Sequence, residues 1–196
     1  KTTLFHLITG GLRPTSGRIE FEGRDITGWA PHRIAAAGIG RKFQVPSVFD
    51  ELTVAENLAL GSWAPQSLGA DGPSSADFEQ IRLAGKGQTR AGELSHGQRQ
   101  WLEIGMVLAG RPRLLLLDEP TAGMTAAETE ATVELIRAVA AEREVTVLAI
   151  EHDIGFLERL DCSVSVMARG RILLSGSFDE VRAARDVRTL YFGGAA

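Results

Sequence analysis

The most distinctive chemical pattern in the sequence is a run of four leucines, residues 114–117, followed by Asp118 and Glu119. Consecutive apolar residues predict a strand inside a sheet, and ligands of open α/β sheets bind at the carboxyl ends of strands. Two carboxylates at that edge can have different roles, one holding a hydrated Mg²⁺ and the other polarising a water molecule. The structural alternative is a solvated turn that Pro120 ends.

A second pattern, Leu94-Ser95-His96-Gly97-Gln98, stands where a helix is predicted to begin. Ser95 and Gln98 have the spacing of a capping box, which is the structural alternative. The Ser95 hydroxyl, the N–H groups of a helix start and the small Gly97 would also suit a phosphate. Ser95, Gly97 and Gln98 are therefore candidate anion-binding residues.

Three further positions suit a phosphate or its metal ion, although each has an ordinary surface role as its alternative. Lys1-Thr2-Thr3 combines an ammonium group for terminal phosphates with hydroxyls for Mg²⁺ in front of a predicted helix. Gln44 follows a predicted strand and could contact metal or water, and His152 could donate a hydrogen bond to phosphate.

The order of these patterns resembles that in the ATP-binding subunit of ABC transporters, along nearly the whole chain. The matches are Lys1-Thr2-Thr3 with the end of the Walker A loop, Gln44 with the Q-loop, Leu94–Gln98 with the signature motif, Asp118-Glu119 with Walker B, and His152 with the switch histidine. The resemblance implies an α/β P-loop NTPase fold of the RecA-like type, with a mostly parallel sheet flanked by helices.

The resemblance also implies one ABC ATPase domain over residues 1–196, binding ATP and Mg²⁺. Residues 1–60 and 111–196 would form the core lobe, and residues 61–110 a short helical lobe with the signature motif. Two such subunits would face each other head to tail. Each ATP would lie between Lys1, Thr2, Thr3, Gln44, Asp118, Glu119 and His152 of one subunit and Ser95, Gly97 and Gln98 of the other.

Within this implied site, Glu119 is the general base, with His152 and Gln44 as further catalytic residues. Mg²⁺ would be held by Asp118, Thr2 and Gln44. Implied partners are a second ATP-binding subunit, membrane permease subunits and, indirectly, a solute-binding protein, but no nucleic acid. The location would be peripheral, at the cytoplasmic face of a bacterial inner membrane.

Two pairs of segments narrow the resemblance. Residues 38–44 and 52–58 are similar to the branched-chain amino acid uptake subfamily, and residues 95–106 and 122–125 to its urea-transport branch. The solute would then be urea, a short amide or a branched-chain amino acid.

Some features depart from the family pattern. The Walker A glycines, the first strand and the adenine-stacking aromatic residue would all precede Lys1, so we expect a chain cut at the Walker A lysine that binds ATP weakly. His96 replaces a glycine of the general signature, and Thr125 replaces an Asp that is common after Walker B. Residues 61–92 are shorter than the family's helical lobe.

Composition excludes several classes of protein. The 196 residues are 44% apolar and 23% charged, which excludes a disordered tail, a collagen-like fibre and a coiled coil. A net charge of −4, from 21 basic and 25 acidic residues, does not suggest a protein that binds nucleic acid. The single cysteine, Cys162, permits no intrachain disulfide. The apolar runs are too short to span a bilayer, so we expect a soluble chain or one bound to a membrane through partners.

Strand and helix patterns alternate in the second half, which predicts a parallel sheet with helices on both faces. Predicted helices cover residues 4–10, 32–37, 53–61, 97–109, 125–142 and 153–160, with final helices from Ser177. Predicted strands cover residues 17–23, 39–44, 114–117, 145–150, 164–168 and 171–174, the last two as a hairpin.

Two other functions remain open at this point. The first is a soluble ABC-type ATPase of DNA repair or translation, which usually carries a long coiled coil or a second cassette that 196 residues do not accommodate. The second is a non-catalytic remnant, which an incomplete phosphate loop favours and the presence of Gln44, Glu119 and His152 opposes.

Overall fold

The computed structural model describes residues 1–42, 48–61, 73–142, 145–185 and 187 of the chain. The chain divides into two compact units. The larger is Thr2–Ile150, and the smaller joins Lys1 to Glu151–Ala196. Each unit is described by itself below.

The described residues of the larger unit form a parallel sheet of three strands in the order β3-β4-β5. These are β3 (Ile39–Lys42), β4 (Leu114–Asp118) and β5 (Thr146–Ile150). Lys42 pairs with Leu117, and Asp118 pairs with Ile150, so the strands end near the same level. The predicted parallel sheet is confirmed, with the four-leucine strand at its centre.

Six α-helices and a short 3₁₀ turn accompany this sheet in the described part of the larger unit. They are α1 (Thr2–Ile8), α2 (Pro31–Ala36), α3 (Val54–Gly61), α4 (Ser75–Gln80), the 3₁₀ turn Ala91–Glu93, α5 (His96–Ala109) and α6 (Ala126–Glu142). On β3, Arg41 lies over the Phe5 ring of α1, and the next residue, Lys42, contacts Glu103 of α5. Because neighbouring strand residues point to opposite faces, α1 and α5 cover opposite faces of the sheet.

The segment predicted as one strand over residues 17–23 is instead the start of a hairpin. Its strands are β1 (Glu20–Phe21) and β2 (Arg24–Asp25), which pair antiparallel. The two residues between them, Glu22 and Gly23, both have positive φ, 49° and 73°. This is the conformation of a tight two-residue hairpin turn, which reverses the chain where the alternation pattern suggested continuation.

One core cluster of the larger unit lies between α1, α2 and the sheet. Its buried members are Phe5, Ile26, Ile34, Ile39, Leu116 and Ile150. Within the residues that the structure describes, no helix combines the length and the apolar character needed to cross a bilayer.

The smaller unit contains α7 (Ile154–Leu160), β6 (Val164–Ala168), β7 (Arg171–Gly176) and α8 (Phe178–Ala183). The strands form the predicted hairpin, turning at Arg169 and Gly170, which both have positive φ. Both helices begin where predicted, and both are capped: Asp153 accepts from the Phe156 N–H, and Ser177 forms a capping box with Glu180. Val166, Val181 and Val187 form a small core.

Candidate functional site

Asp118 and Glu119 lie at the carboxyl end of the central strand, as the leucine run predicts. Leu115, Leu116 and Leu117 are almost fully buried, which anchors the strand in the sheet. Asp118 is 2% exposed and Glu119 is half-buried. The sheet therefore presents adjacent carboxylates at the edge where α/β proteins bind ligands.

The Asp118 carboxylate forms a buried ion pair with Arg41 of β3. Arg41 Nη2 lies 3.5 Å from Asp118 Oδ2, and the side chains are 5% and 2% exposed. The guanidinium also donates to Thr9 Oγ1 at 3.4 Å and lies over the Phe5 ring. Because a carboxylate is costly to bury without a counter-charge, Arg41 is what allows an acid at this buried position.

Glu119 ends the strand with a left-handed backbone, φ +48°. Its N–H donates to the Ile150 carbonyl at 2.8 Å, and its own carbonyl accepts from the Ala122 N–H at 3.2 Å. A residue with a side chain in this conformation costs of order 1–3 kcal/mol and persists where its surroundings impose it. The last residue of β5 thus fixes the turn that carries the candidate general base.

Ser95 caps α5 in the way its spacing with Gln98 predicts. Ser95 Oγ accepts from the Gln98 N–H at 3.3 Å, and Gln98 Oε1 accepts from the Ser95 N–H at 3.2 Å. Ser95 and His96 are exposed, whereas Gly97 is buried. The capping role is thereby confirmed, and it leaves the serine at the surface.

Glu128, near the start of α6, connects this segment with the loop after β4. Glu128 Oε2 accepts from the Thr125 N–H and from Thr125 Oγ1, both at 2.9 Å, while Oε1 accepts from Ser95 Oγ at 3.3 Å. The backbone bond from Thr125 and then its hydroxyl bond hold the pKa of Glu128 below its ordinary value, against a smaller opposing effect of burial. One carboxylate thus serves two segments of the chain.

His96 makes a second connection between the same segments. His96 Nε2 lies 2.9 Å from the Ala122 carbonyl oxygen, and because a carbonyl only accepts, the ring nitrogen donates. Gly123, with φ +74°, lets the loop approach, since a Cβ there would lie 3.2 Å from His96 Nε2. The histidine that replaces a signature glycine has a specific contact in this fold.

Gly97 is buried beneath the Glu128 carboxylate. A Cβ at residue 97 would lie 2.4 Å from Glu128 Oε1 and 2.6 Å from Cδ. These atoms belong to the end of a flexible side chain, so we expect Gly97→Ala to push the carboxylate out of its hydrogen bonds and to lower the free energy of unfolding by about 0.5–2 kcal/mol, the usual cost of losing a helix cap. Urea unfolding measures this change.

The companion measurement places Gly97→Ala in a Glu128→Ala background. With the carboxylate gone, alanine has room and its better helix propensity, so the substitution is expected to be neutral or stabilising there. Equal losses in both backgrounds would contradict the contact.

The smaller unit brings Lys1 and His152 to one cavity of about 100 Å³. Its walls are mostly apolar, from α7, the β6–β7 hairpin and α8, and Glu151 also lines it. His152 is exposed, and its backbone N–H donates to Glu151 Oε2 at 2.9 Å. Two of the residues predicted to contact phosphate thus line the same cavity.

The remaining predicted residues are placed as follows. Thr2 and Thr3 are exposed in the first turn of α1. Gln44 lies outside the described residues. Its predicted role therefore stays a prediction.

Sequence reasoning missed two buried ion pairs. Besides Arg41–Asp118, Lys42 Nζ lies 3.4 Å from Glu103 Oε2 of α5, with the two side chains 1% and 5% exposed. The available signal was the pair Arg41-Lys42 inside a predicted sheet strand, since buried charges need counter-charges. That signal does not say which acids supply them.

A carboxylate such as that of Asp118 is a donor of the kind that Mg²⁺ takes. Within the described residues, no group of three or more His, Cys, Asp or Glu side chains converges as a metal cage. Mg²⁺ is usually held by one or two carboxylates, waters and substrate phosphates, and Asp118 at the strand end supplies such a carboxylate.

Comparisons with known proteins agree with this geometry. A family model described as ABC transporter matches residues 1–122. The high-affinity branched-chain amino acid transport ATP-binding protein BraF of Pseudomonas aeruginosa is 33% identical, over 100% of this chain and 83% of BraF. LivG of Escherichia coli, which carries the same description, is 30% identical, also over 100% of this chain and 83% of its own.

Solved structures give the same result. The ATP-binding cassette MJ1267 of an ABC transporter superposes with a TM-score of 0.85 at 30% identity, covering 98% of this chain and 83% of MJ1267. Its ADP conformation gives 0.84 at 31% identity, covering 99% and 84%. The fold is therefore that of a P-loop NTPase cassette, and the chain belongs to the ABC transporter family as an ATP-binding subunit.

Proposed function

We propose that this chain hydrolyses MgATP at a site centred on Asp118 and Glu119 and uses the energy to drive an ABC importer. The observation that supports this most directly is the position of the two acids. They end the central strand of the sheet, one in a buried ion pair and the other on a left-handed turn. Adjacent carboxylates with such different surroundings are suited to different roles.

Glu119 is the general base in this proposal. Its side chain is half-buried. Its backbone donates a hydrogen bond to Ile150 and accepts one from Ala122, and these bonds hold the turn that carries the carboxylate. It would take a proton from the water that attacks the γ-phosphate. Lys1 and His152 would contact the phosphates, and Thr2 and Thr3 would bind them from the start of α1.

Asp118, Thr2 and Gln44 would hold Mg²⁺. The ion would offset charge on the β- and γ-phosphate oxygens. Arg41 keeps the Asp118 carboxylate in place at the strand end, at 3.5 Å. The metal-binding acid is thus positioned by the sheet rather than by a mobile loop.

A second ATP-binding subunit completes the site in this proposal. Ser95 is exposed at the start of α5, where a hydroxyl and backbone N–H groups suit a phosphate. The partner's Ser95, Gly97 and Gln98 would close over the nucleotide held by the first subunit. Residues 61–110 would form the lobe that presents them, within a single ATPase domain.

The transported solute is a branched-chain amino acid, urea or a short amide. BraF and LivG are described as branched-chain amino acid transport proteins, whereas residues 95–106 and 122–125 are similar to the urea branch. Membrane permease subunits and, indirectly, a solute-binding protein would be the partners. The chain would lie at the cytoplasmic face of a bacterial inner membrane.

The test measures ATP binding and hydrolysis by the protein as its gene encodes it, alone and with its permeases in proteoliposomes. We expect hydrolysis that stops when Mg²⁺ is chelated, because phosphoryl transfer depends on the metal for charge stabilisation. We also expect stimulation by a solute-loaded binding protein, with leucine and urea compared as solutes.

The same experiment separates the alternatives. A non-catalytic remnant would show no hydrolysis at any Mg²⁺ concentration. A soluble ATPase of DNA repair or translation would hydrolyse ATP without stimulation by permeases or solute. Either result would contradict the proposal.

A further inference from the structure

The signature segment, residues 95–97, is joined to the post-strand loop, residues 119–125, at two points. Glu128 accepts from Ser95 Oγ and from Thr125, and His96 donates to the Ala122 carbonyl. The first contact joins residues 33 apart in sequence and the second joins residues 26 apart. Both contacts therefore link the position of Ser95 to the loop that begins at Glu119.

Helix capping alone does not explain the position of Glu128. In the capping boxes of Thr53 with Glu56 and Ser177 with Glu180, one carboxylate oxygen accepts both bonds from the cap residue. Glu128 serves Thr125 in the same way through Oε2 and uses Oε1 for Ser95. The second oxygen, Oε1, therefore makes a contact with Ser95 that helix capping does not require.

Gly97 allows the carboxylate to reach the signature segment. Glu128 Oε1 and Cδ lie where a Cβ of residue 97 would stand, at 2.4 and 2.6 Å. A side chain at this position would push the carboxylate away from Ser95. The small residue, the carboxylate and the serine thus form one packed arrangement.

The Ser95 hydroxyl has a single proton to donate. In this structure it goes to Glu128 Oε1, while Ser95 Oγ accepts from the Gln98 N–H. A phosphate oxygen of a nucleotide would receive the same proton in place of Glu128. The contact with Glu128 therefore sets the direction of the hydroxyl before the phosphate arrives.

We propose that Glu128 is a positioning residue. It aims Ser95 at the partner subunit's nucleotide and makes the signature segment move with the post-strand loop. The inference rests on the proposed function, because it needs two subunits that share their ATP sites. Its consequence is specific: a defect at Glu128 should appear in the partner's ATP site, the one that Ser95 serves.

Glu128→Asp separates positioning from capping. An aspartate in the same place still completes a capping box, as Asp77 does with Ser74 in this chain. The side chain is one methylene shorter, so it withdraws from Ser95 and Gly97. Glu180→Asp is the matched control, because its carboxylate serves the cap residue Ser177.

The experiment uses mixed dimers in which one subunit carries Glu119→Gln, so that only the other subunit's site turns over. Glu128→Asp added to the Glu119→Gln subunit should lower turnover by roughly 10- to 100-fold, the usual cost of misplacing a contact group. Added to the other subunit, it should change turnover less than twofold. Glu180→Asp should have no effect in either place, and thermal unfolding should be the same for both Asp variants.

A second readout applies if Glu128→Asp also lowers thermal stability. In a Ser95→Ala background, Glu128→Asp should cause no further loss of turnover, because it acts through the serine. Additive losses, or a defect that stays in the mutated subunit's own site, would overturn the inference. Failure of the proposed function would look different, since the wild-type dimer would already be inactive.

Discussion

Glu119→Gln is expected to leave ATP bound and to lower its hydrolysis by on the order of 10²- to 10⁴-fold, the usual contribution of a general base. Glutamine has nearly the same size but cannot accept the proton of the attacking water. The turn should survive, because its hydrogen bonds to Ile150 and from Ala122 use backbone atoms. Steady-state phosphate release and equilibrium nucleotide binding measure the two effects separately.

A matched control for this substitution is Glu142→Gln, at the exposed end of α6. It removes the same charge and should retain wild-type turnover. Near wild-type hydrolysis by Glu119→Gln would show that another group takes the proton. Loss of ATP binding would instead show that Glu119 has a structural role at the strand end.

Asp118→Asn is expected to lower the free energy of unfolding by about 3–5 kcal/mol, the cost of removing one partner of a buried ion pair. The Arg41 guanidinium is 5% exposed, and the substitution removes the negative charge that lies 3.5 Å from its Nη2. Urea unfolding without nucleotide isolates this effect from any loss of Mg²⁺ binding.

The double variant Arg41→Met/Asp118→Asn tests the cause. Removing the buried cation should restore a large part of the stability, because a buried ion pair replaced on both sides costs little. A double variant as unstable as the sum of the two single variants would contradict it. So would a loss below about 1 kcal/mol for Asp118→Asn alone, which is the range of exposed pairs.

Local features were predictable from the sequence where their determinants lie within a few residues. The capping boxes at Thr53, Ser95, Thr125 and Ser177 all form, because each joins groups three residues apart. The box of Ser74 with Asp77 has the same spacing and starts α4, which is not among the helices predicted from the sequence. The hairpin at Glu22 and Gly23 was missed because alternation predicts a strand without showing where it reverses.

Long-range contacts were beyond such reasoning. Arg41 and Asp118 are 77 residues apart, and they meet because β3 and β4 pair in a register that places them on one face. Neither residue's neighbours in sequence indicate that partner. The same holds for Lys42 with Glu103, where α5 must first pack on the opposite face.

The amino-acid sequence alone was enough to indicate the family and the fold class. Both follow from properties of the linear chain, namely the order of its motifs and the alternation of strand and helix patterns. Tertiary structure decided which groups share a proton or a charge: Arg41 with Asp118, and Glu128 with Ser95. The physical reason is that capping and periodicity act over one turn, whereas the partner of a buried charge or a surface hydroxyl depends on how distant segments pack.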